Sequence, residues 1–439
     1  MMRLAIVALT LFAAPLAAQI TAEETITREK CDNVTVSNAS PADIGPLVAD
    51  AECYARRLTS AASSQRYRLE KAKELALTID AQADSAPDAP PLDEPVTLAP
   101  SPDPAPGPDQ AALIDEWTAP AGIPASAAPD TVGAFRITCN SVKGGTFDPL
   151  VYPGVANAGH RHRFYSNPDV APDSTYASLR KATAGSCHGG PLNGSSIWGP
   201  ELMDGRGNAV LPSHMTQYYK MAPDGSDACP ASKGCVGIPD GLVAIFGFNY
   251  VDENAPKYPA VHFRCYAIGR EDNGWKRTLG EATANCSVGE TLYVTVTSPS
   301  CWKGPGHLDS PNHQDHLAYP YREGSQILCP ETHPYGIEQL TITQPFPIEE
   351  GDDPTQWAFS SDIMAGAQPG TTFHFDYMEG WNPDIRRAWQ KHCIQALRNC
   401  SGGILGDGRI LERPPGFTFD QRPHLIPMDA MDEHHEHAM

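Results

Sequence analysis

The chain has 439 residues, of which 41% are hydrophobic, and its 53 acidic and 32 basic residues give a formal net charge of −21. This length suffices for one large domain with extensions or for two domains. Because binding to nucleic acid depends on Lys and Arg side chains that neutralise phosphates, the acidic balance argues against general affinity for DNA or RNA.

Residues 1–18 are typical of a secretory signal peptide. Arg3 supplies a positive charge, residues 4–16 are apolar, and Ala17 and Ala18 offer a small-residue cleavage site. The apolar run is shorter than the ~20 residues that span a bilayer, so we expect no transmembrane segment after signal removal. A retained membrane anchor is the alternative. The sequence therefore predicts a secreted or periplasmic protein.

The twelve cysteines are expected to form disulfides, because an exported chain matures in an oxidising compartment. No CxxC pair with zinc-finger spacing is present, which disfavours a cysteine-rich zinc site. Connectivity does not follow from the sequence. Pairing of neighbours along the chain would give Cys31–Cys53, Cys229–Cys235, Cys265–Cys286, Cys301–Cys329 and Cys393–Cys400, with Cys139–Cys187 left over.

Residues 19–80 are predicted to be helical and residues 81–130 to be a linker. Ser40 can cap a helix that starts at Pro41, and apolar residues then recur at helical spacing. This segment could form an oligomer through a coiled coil or hairpin, or it could lie on its own domain. The linker contains twelve prolines among Ala, Asp and Ser, a composition that keeps a chain extended.

Residues 131–403 are predicted to form a β-rich main domain. Short stretches of alternating apolar and polar residues are separated by long loops rich in Gly, Pro and Asn. The pattern predicts a mainly β fold, either a β-sandwich or an irregular β-barrel with long loops. One C-terminal helix is predicted from Asn382 to the glycines at 402–403. Residues 404–439 are predicted to be an irregular, His-rich tail.

Three histidine motifs, at residues 160–162, 313–316 and 374–376, carry the side chains of a candidate site. Residues two apart in a strand share a face, and residues three apart in a helix or turn do so as well. If the motifs converge, their imidazoles and carboxylates suit a divalent metal such as Zn or Cu, which could activate water or polarise a substrate oxygen. With 15 histidines in the chain, each motif alone is also compatible with chance and with a structural role. The predicted metal-ligating or catalytic residues are His160, His162, His313, His316, His374 and Asp376, with Asp148 as an accessory catalytic carboxylate.

Carboxylates and tryptophans near these motifs support a second, metal-free interpretation. Two carboxylates that face each other across a cleft could hydrolyse a glycosidic bond. Trp198, Trp302 and Trp381 could be stacking platforms that bind sugar rings, although core packing is the alternative role for each. The sequence contains no nucleophile elbow, P-loop, HExxH motif or dinucleotide fingerprint, so those mechanisms are disfavoured.

Short motifs between residues 133 and 400 occur in the order typical of a known family. They are Phe135–Cys139, Asp148–Gly154, His160–Asn167, Cys187, Ser196–Leu202, Tyr218–Tyr219, Pro299–Gly304, His313–Pro320, Cys329–Pro330, His333–Pro334 and His374–Trp381. In these motifs the chain resembles the family catalogued as domain of unknown function nineteen-ninety-six, which is found in secreted fungal proteins and in bacteria. The resemblance implies a secreted β-rich domain, and it brings no agreed activity. Some fungal relatives look like they join this domain to carbohydrate-binding or cell-wall modules, which hints at a polysaccharide.

Two positions depart from the family's usual pattern. Lys303 stands where the family usually has Asp, and Gln314-Asp315 stands where it usually has Lys-Ser. If the first aspartate were catalytic, this chain would lack it unless Asp309 or Asp315 takes its place.

The leading hypothesis is an exported hydrolase that acts on an extracellular polysaccharide, glycan or cell-wall material through His and Asp side chains, with or without a metal. The alternatives are a non-catalytic protein that binds glycans or a cell surface, and a periplasmic metal-binding protein.

Overall fold

The computed structural model describes residues 113–117, 122–125, 132–248, 260–270, 272 and 274–428. All of them lie in the second of two compact units, Pro100–Met439. The predicted signal peptide, the predicted helical segment, Cys31 and Cys53, and the last eleven residues lie outside the described residues, as does most of the predicted linker. Within the described part of the chain, no helix is long and apolar enough to cross a membrane.

The fold is mainly β, as predicted, and its strands are joined by long loops. The described strands are β1 Ile114–Glu116, β2 Gly133–Cys139, β3 Ser141–Gly145, β4 His162–Ser166, β5 Ser196–Pro200, β6 Leu202–Met203, β7 Asn208–Val210, β8 Met215–Met221, β9 Val243–Gly247, β10 Val261–Tyr266, β11 Thr291–Thr297, β12 Cys301–Trp302, β13 Leu317–Ala318, β14 Tyr321–Glu323, β15 Gln326–Leu328, β16 Tyr335–Gly336, β17 Gln339–Pro347, β18 Ala358–Phe359, β19 His374–Met378, β20 Asn399–Ser401, β21 Arg409–Leu411 and β22 Leu425–Pro427. The α-helices in this part of the chain are short and span Tyr176–Leu179, Leu279–Thr283, Ser360–Ala365 and Pro383–Trp389.

Two sheets form the body of the described domain. The first has six strands in the order β10-β11-β17-β8-β2-β20, and the second has five in the order β3-β4-β5-β19-β9. In the first sheet, strand β11 alternates buried apolar residues with half-buried polar ones, as expected for a sheet with one solvated face. In the second sheet, every residue of β4, β5 and β19 is buried. The five-stranded sheet is therefore an interior layer.

Each face of the five-stranded sheet packs against a different hydrophobic core. Tyr165 and Phe375 belong to the large core that also contains the inward residues of the six-stranded sheet. The Gln344 side chain of β17 donates a hydrogen bond of 2.6 Å to the Tyr165 hydroxyl and links the two sheets. The opposite face carries Phe164 and Trp198, which belong to a smaller core. This opposite face is the one that carries the candidate site.

The predicted C-terminal helix is present but ends earlier than predicted. The Asn382 side chain accepts hydrogen bonds from the first turn, and Pro383 occupies the first helical position. The helix continues as a π-helical turn over Gln390–Ile394 and stops there. The extension towards the glycines at 402–403 is wrong, because Asn399–Ser401 forms strand β20 and pairs with β2.

Disulfides within the described residues follow the pairing of neighbours and confirm that part of the prediction. The Cys139–Cys187 bond links the residue that ends β2 to the loop before β5. The five bonds are Cys139–Cys187, Cys229–Cys235, Cys265–Cys286, Cys301–Cys329 and Cys393–Cys400.

Parts of the predicted linker and of the predicted tail belong to the folded domain. Strand β1, from the linker range, pairs with β21, from the tail range. Strand β22 pairs with β7 at the edge of a four-stranded sheet. Regular structure therefore extends beyond residue 403.

Candidate functional site

Three histidine and aspartate side chains project from one face of the five-stranded sheet. Strand β4 carries His162, and strand β19 carries His374 and Asp376. Strand β5 lies between them, because its Trp198 is opposite Phe164 on one side and opposite Asp376 on the other. Since alternate residues of a strand share a face, His162, His374 and Asp376 point into the space beside the smaller core.

His160 joins these strand residues from the loop that leads into β4. The ring centroid of His160 lies 4.1 Å from that of His162 and 5.0 Å from that of His374. The centroids of His162 and His374 are 6.0 Å apart. One nitrogen from each ring lies within 4.8 Å of the others. A second group consists of Asp148, His162 and Asp376, whose ligand atoms also lie within 4.8 Å of one another. His162 therefore belongs to both groups. Both groups have the dimensions of a metal-binding site.

Hydrogen bonds to backbone carbonyls set the orientation of two of the imidazoles. His162 Nδ1 donates to the Phe147 carbonyl at 2.9 Å, and His374 Nδ1 donates to the Thr372 carbonyl at 2.8 Å. Because a carbonyl oxygen only accepts, each ring carries its proton on Nδ1 and presents an electron pair on Nε2. Metal-binding histidines commonly show this arrangement.

Asp376 is the most unusual group of the site. Its side chain is fully buried, and neither carboxylate oxygen has a hydrogen-bond partner among the described residues. His374 Nε2 lies 3.7 Å from Asp376 Oδ2, which is too long for a hydrogen bond. Burial, with a further contribution from Asp148, raises the pKa of Asp376 well above its ordinary value. A cation at this point would compensate the charge and would have the carboxylate oxygens and the imidazole nitrogens as ligands.

The imidazoles are kept neutral by the same burial. Burial lowers the pKa of both His162 and His374 to about 4. It also lowers the pKa of His160 well below its ordinary value, and the neighbouring rings add to the effect. Neutral imidazole is the form that binds metals. Asp148, whose pKa burial also raises, accepts hydrogen bonds from the backbone N–H groups of residues 150 and 151 at 2.9 and 3.0 Å.

The structure does not bring His316 into either metal-ligand group. Its Nε2 donates to the Val243 carbonyl at 2.7 Å, and its Nδ1 lies 3.0 Å from the Ser310 hydroxyl. Both ring nitrogens are thus used, and the ring is fully buried. We assign His316 a structural role in which it holds the loop before β13 against β9.

His313 also lies outside both groups, at the partly exposed side of the same loop. Its Nδ1 is 2.8 Å from Asp309 Oδ1, and its backbone has a positive φ of 54°. The His313 backbone carbonyl accepts a hydrogen bond of 2.9 Å from the Ile245 amide. Ile245 lies on β9, opposite Asp376 of β19. His313 is close enough to Asp148 to act on its pKa, but it is not among the clustered ligand atoms.

The three tryptophans predicted to bind sugar lie in the interior. Trp198 and Trp381 have no exposed surface, and Trp302 is 5% exposed. Trp381 Nε1 donates to the Tyr219 hydroxyl at 2.9 Å, and Trp302 Nε1 donates to the His307 carbonyl at 2.6 Å. A stacking platform needs a ring face that solvent can reach, so these residues are core side chains.

An ion cluster that was not predicted from the sequence lies next to the site. Glu201 Oε2 accepts from Arg161 Nε at 2.8 Å, and Glu201 Oε1 also pairs with Arg163. The signal was present in the sequence, because Arg161 and Arg163 alternate with the histidines of the same motif. This cluster fixes the backbone that carries His160 and His162.

A family model described as "Domain of unknown function (DUF1996)" matches residues 148–381. The match includes more than half of the chain and contains every residue of the candidate site. Comparisons with curated proteins and with solved structures give no match. The resemblance predicted from the ordered motifs is confirmed: the chain belongs to the DUF1996 family.

Proposed function

We propose that this is an exported protein with a divalent-metal centre, and that the centre assists hydrolysis of an extracellular polysaccharide or glycan. His160, His162, His374 and Asp376 would hold the ion, with Asp148 beside it. The observation that carries the metal proposal is Asp376, a buried carboxylate without hydrogen-bond partners among the described residues. The disulfides of the described domain support export, because such bonds persist in oxidising compartments.

The donor set favours a transition metal of intermediate softness. Imidazole suits Zn, Cu, Fe and Ni, and one or two carboxylates do not exclude any of these ions. We expect Zn²⁺ or Cu²⁺. The Nδ1–H bonds to Phe147 and Thr372 would keep the Nε2 electron pairs of His162 and His374 aimed at the ion.

The chemistry that a metal would supply here is polarisation of a substrate oxygen or of water. The chain's own contribution would be positioning. Buried, neutral imidazoles would bind without competing protons, and the backbone N–H groups that hold Asp148 would fix its carboxylate at the edge of the centre. The glycan substrate is proposed from the family resemblance, because some fungal relatives look like they join this domain to carbohydrate-binding or cell-wall modules.

A second candidate is a non-catalytic protein in which the metal stabilises the fold. Two observations favour it: all five site residues are buried, and the three tryptophans expected to bind sugar are core residues. In this case the protein would bind a glycan or cell surface elsewhere, or would serve as a periplasmic metal-binding protein.

Metal stoichiometry tests the proposal. The full chain, purified without an affinity tag, would be loaded with Zn²⁺ or Cu²⁺ and measured by native mass spectrometry and elemental analysis. We expect Asp376→Asn and His162→Ala to bind one ion fewer than the wild type. The controls are Asp315→Asn and His307→Ala, which remove the same chemical groups from exposed positions. Equal stoichiometry in the wild type and in both site variants would contradict the proposal.

The catalytic part needs a separate test. A panel of polysaccharides would be screened for cleavage by the metal-loaded protein, with His162→Ala and His307→Ala in parallel. We expect cleavage of at least one polymer, and its loss only in His162→Ala. Normal metal binding with no cleavage of any polymer would favour the second candidate instead.

A further inference from the structure

The outer face of the six-stranded sheet carries an ordered set of hydroxyl groups. Thr295, Thr343, Thr216 and Thr138 stand opposite one another on the adjacent strands β11, β17, β8 and β2. The hydroxyls of Thr295 and Thr343 lie 2.9 Å apart. All four residues are half-buried, while their neighbours along each strand point into the core. The row lies on the outer face of the sheet. At its β2 end the Thr138 hydroxyl lies 3.2 Å from Nδ1 of the buried His188, so the hydroxyls on the solvated part of the row are those of Thr216, Thr295 and Thr343.

Two cations are fixed beside this row. The Arg136 guanidinium lies 5.0 Å from the centre of the Tyr218 ring, and the Lys220 ammonium lies 4.7 Å from the centre of the same ring. Arg136 also donates to the Ser401 hydroxyl, at 3.0 Å from Nε. Within the described part of the chain, neither cation is paired with a carboxylate. Cation–π contacts thus hold in place two positive charges that no carboxylate of the described residues neutralises.

The charge of the sheet contrasts with that of the chain. The protein has 53 acidic residues, yet none of the six strands contains Asp or Glu. At ~4.8 Å per strand spacing, six strands span roughly 24 Å. Arg264, at the far edge on β10, adds a further cation, which is stacked on Tyr266 at 4.6 Å and paired with Asp272. The result is a hydroxyl-rich strip on an acidic protein. Its positive charge is concentrated at the end formed by β8 and β2, because Arg264 is neutralised by Asp272.

We propose that this strip binds an acidic polysaccharide, a linear polymer with carboxylate or sulfate groups on a hydroxyl-rich chain. Arg136 and Lys220 would take the anionic groups, and the hydroxyls of Thr216, Thr295 and Thr343 would exchange hydrogen bonds with sugar hydroxyls. The inference takes from the proposed function only that the partner is a glycan. It does not depend on the metal centre, which lies on the five-stranded sheet.

The composition of the strip favours this partner over other polymers. Nucleic acid binding relies on many Lys and Arg contacts to closely spaced phosphates, whereas among the described residues the strip offers two cations without a carboxylate partner. The buried centre of a protein interface is apolar and depleted of charge, whereas the middle of this face is made of threonines. Recognition of anionic lipid surfaces uses clusters of about 4–8 basic residues. A polymer with sparse charges and abundant hydroxyls matches the strip best.

Affinity electrophoresis and calorimetry on the full chain would test this inference. The probes are a polyuronate, a sulfated dextran, neutral dextran and a DNA duplex. We expect binding to one or both acidic polysaccharides and none to neutral dextran. The Arg136→Gln/Lys220→Gln variant should lose at least tenfold in affinity, and increased salt should weaken wild-type binding. The control is Lys233→Gln, which removes a lysine held over Tyr335 at 5.5 Å elsewhere on the surface and should bind as the wild type does.

Two results would overturn the inference: absence of binding to both acidic polymers, or unchanged affinity in the double variant. If the protein bound DNA with equal affinity, the strip would be a site for any polyanion, and the assignment to an acidic polysaccharide would be wrong. Asp376→Asn should keep polymer binding, and the double variant should keep its metal, so a failure here is distinguishable from a failure of the metal centre.

Discussion

A buried carboxylate is stable only if it is neutralised, hydrogen-bonded or paired with a cation. Asp376 has no hydrogen-bond partner among the described residues, and its neighbours include the neutral imidazoles of His162 and His374. Without an ion, the site therefore costs stability, and a proton on Asp376 only partly relieves that cost. A metal ion would satisfy the carboxylate and the Nε2 electron pairs at once.

Asp376→Asn should have an unusual effect on stability. The amide is neutral and can donate to the adjacent imidazole nitrogens, so the metal-free variant should be as stable as the wild type or more stable. A gain of 1 kcal/mol would raise Tm by about 2–4 °C. Added metal should raise Tm of the wild type and leave the variant unchanged, as measured by calorimetry. A large loss of Tm in the metal-free variant would instead identify Asp376 as a structural residue.

His316 gives a prediction about pH. Burial lowers its pKa from 6.5 to about 4, so between these values the unfolded chain binds a proton that the folded chain does not. The stability from this ring is complete above pH 6.5 and is lost as the pH falls towards 4, by at most about 1.4 kcal/mol per pH unit. The loss in unfolding free energy between pH 7 and pH 4.5 should be smaller in His316→Gln than in the wild type. His307→Gln, on the same loop but exposed, is the control, and an equal loss in all three proteins would refute the assignment.

The histidine motifs show where residue-level prediction works. Strand periodicity correctly placed His374 and Asp376 on one face, because the backbone geometry of a strand fixes that relation. The spacing of His313 and His316 had no such support, since that loop forms no regular helix. There the ring positions follow from local partners, namely Asp309 for His313 and Val243 for His316.

At the scale of elements, the candidate site depends on the order of strands in the five-stranded sheet. Strands β4 and β19 are about two hundred residues apart in sequence and are brought together by β5. The alternation of apolar and polar residues predicts that a strand exists and which of its side chains are buried. It does not predict which strands lie next to each other in a sheet. For the same reason the sequence did not reveal that Trp198 lies between two buried strands. The mainly β class was predictable, because alternation and loop composition are local signals.

Gly247 at the end of β9 gives a prediction about strand packing. It has a φ of +96°, and a Cβ there would lie 2.8 Å from His374 Cα and 2.6 Å from the Phe373 carbonyl oxygen. Gly247→Ala should therefore displace β19 at His374 and reduce both stability and metal affinity, the latter by roughly tenfold or more. Gly207→Ala is the matched control, because Gly207 has a φ of +93° and open space around its Cβ position.

The Gly207→Ala control should lose only the ~1–2 kcal/mol expected for a side chain in the left-handed region. Denaturant unfolding and zinc titration of both variants would measure the difference. Similar metal affinity in Gly247→Ala and in the wild type would show that the close approach of β9 to β19 does not position His374.

At the scale of the whole molecule, the described domain has two distinct chemical surfaces. The inner one is the metal-ligand cluster on the five-stranded sheet, and the outer one is the hydroxyl-rich cationic strip on the six-stranded sheet. The net charge predicted neither surface. The value of −21 is a sum over the whole chain and does not indicate that some strands contain no carboxylates. The family assignment was predictable, since ordered motifs are a property of the whole sequence.

X-ray absorption at the zinc edge would show whether the buried histidines and Asp376 bind the ion. For the zinc-loaded wild type, we predict two or three imidazole nitrogens at about 2.0–2.1 Å and a carboxylate oxygen at about 2.0–2.2 Å. The combined His162→Ala/His374→Ala variant should lose this spectrum. A shell of oxygen ligands alone in the wild type, or an unchanged spectrum in the double variant, would contradict the assignment of a metal centre to His160, His162, His374 and Asp376.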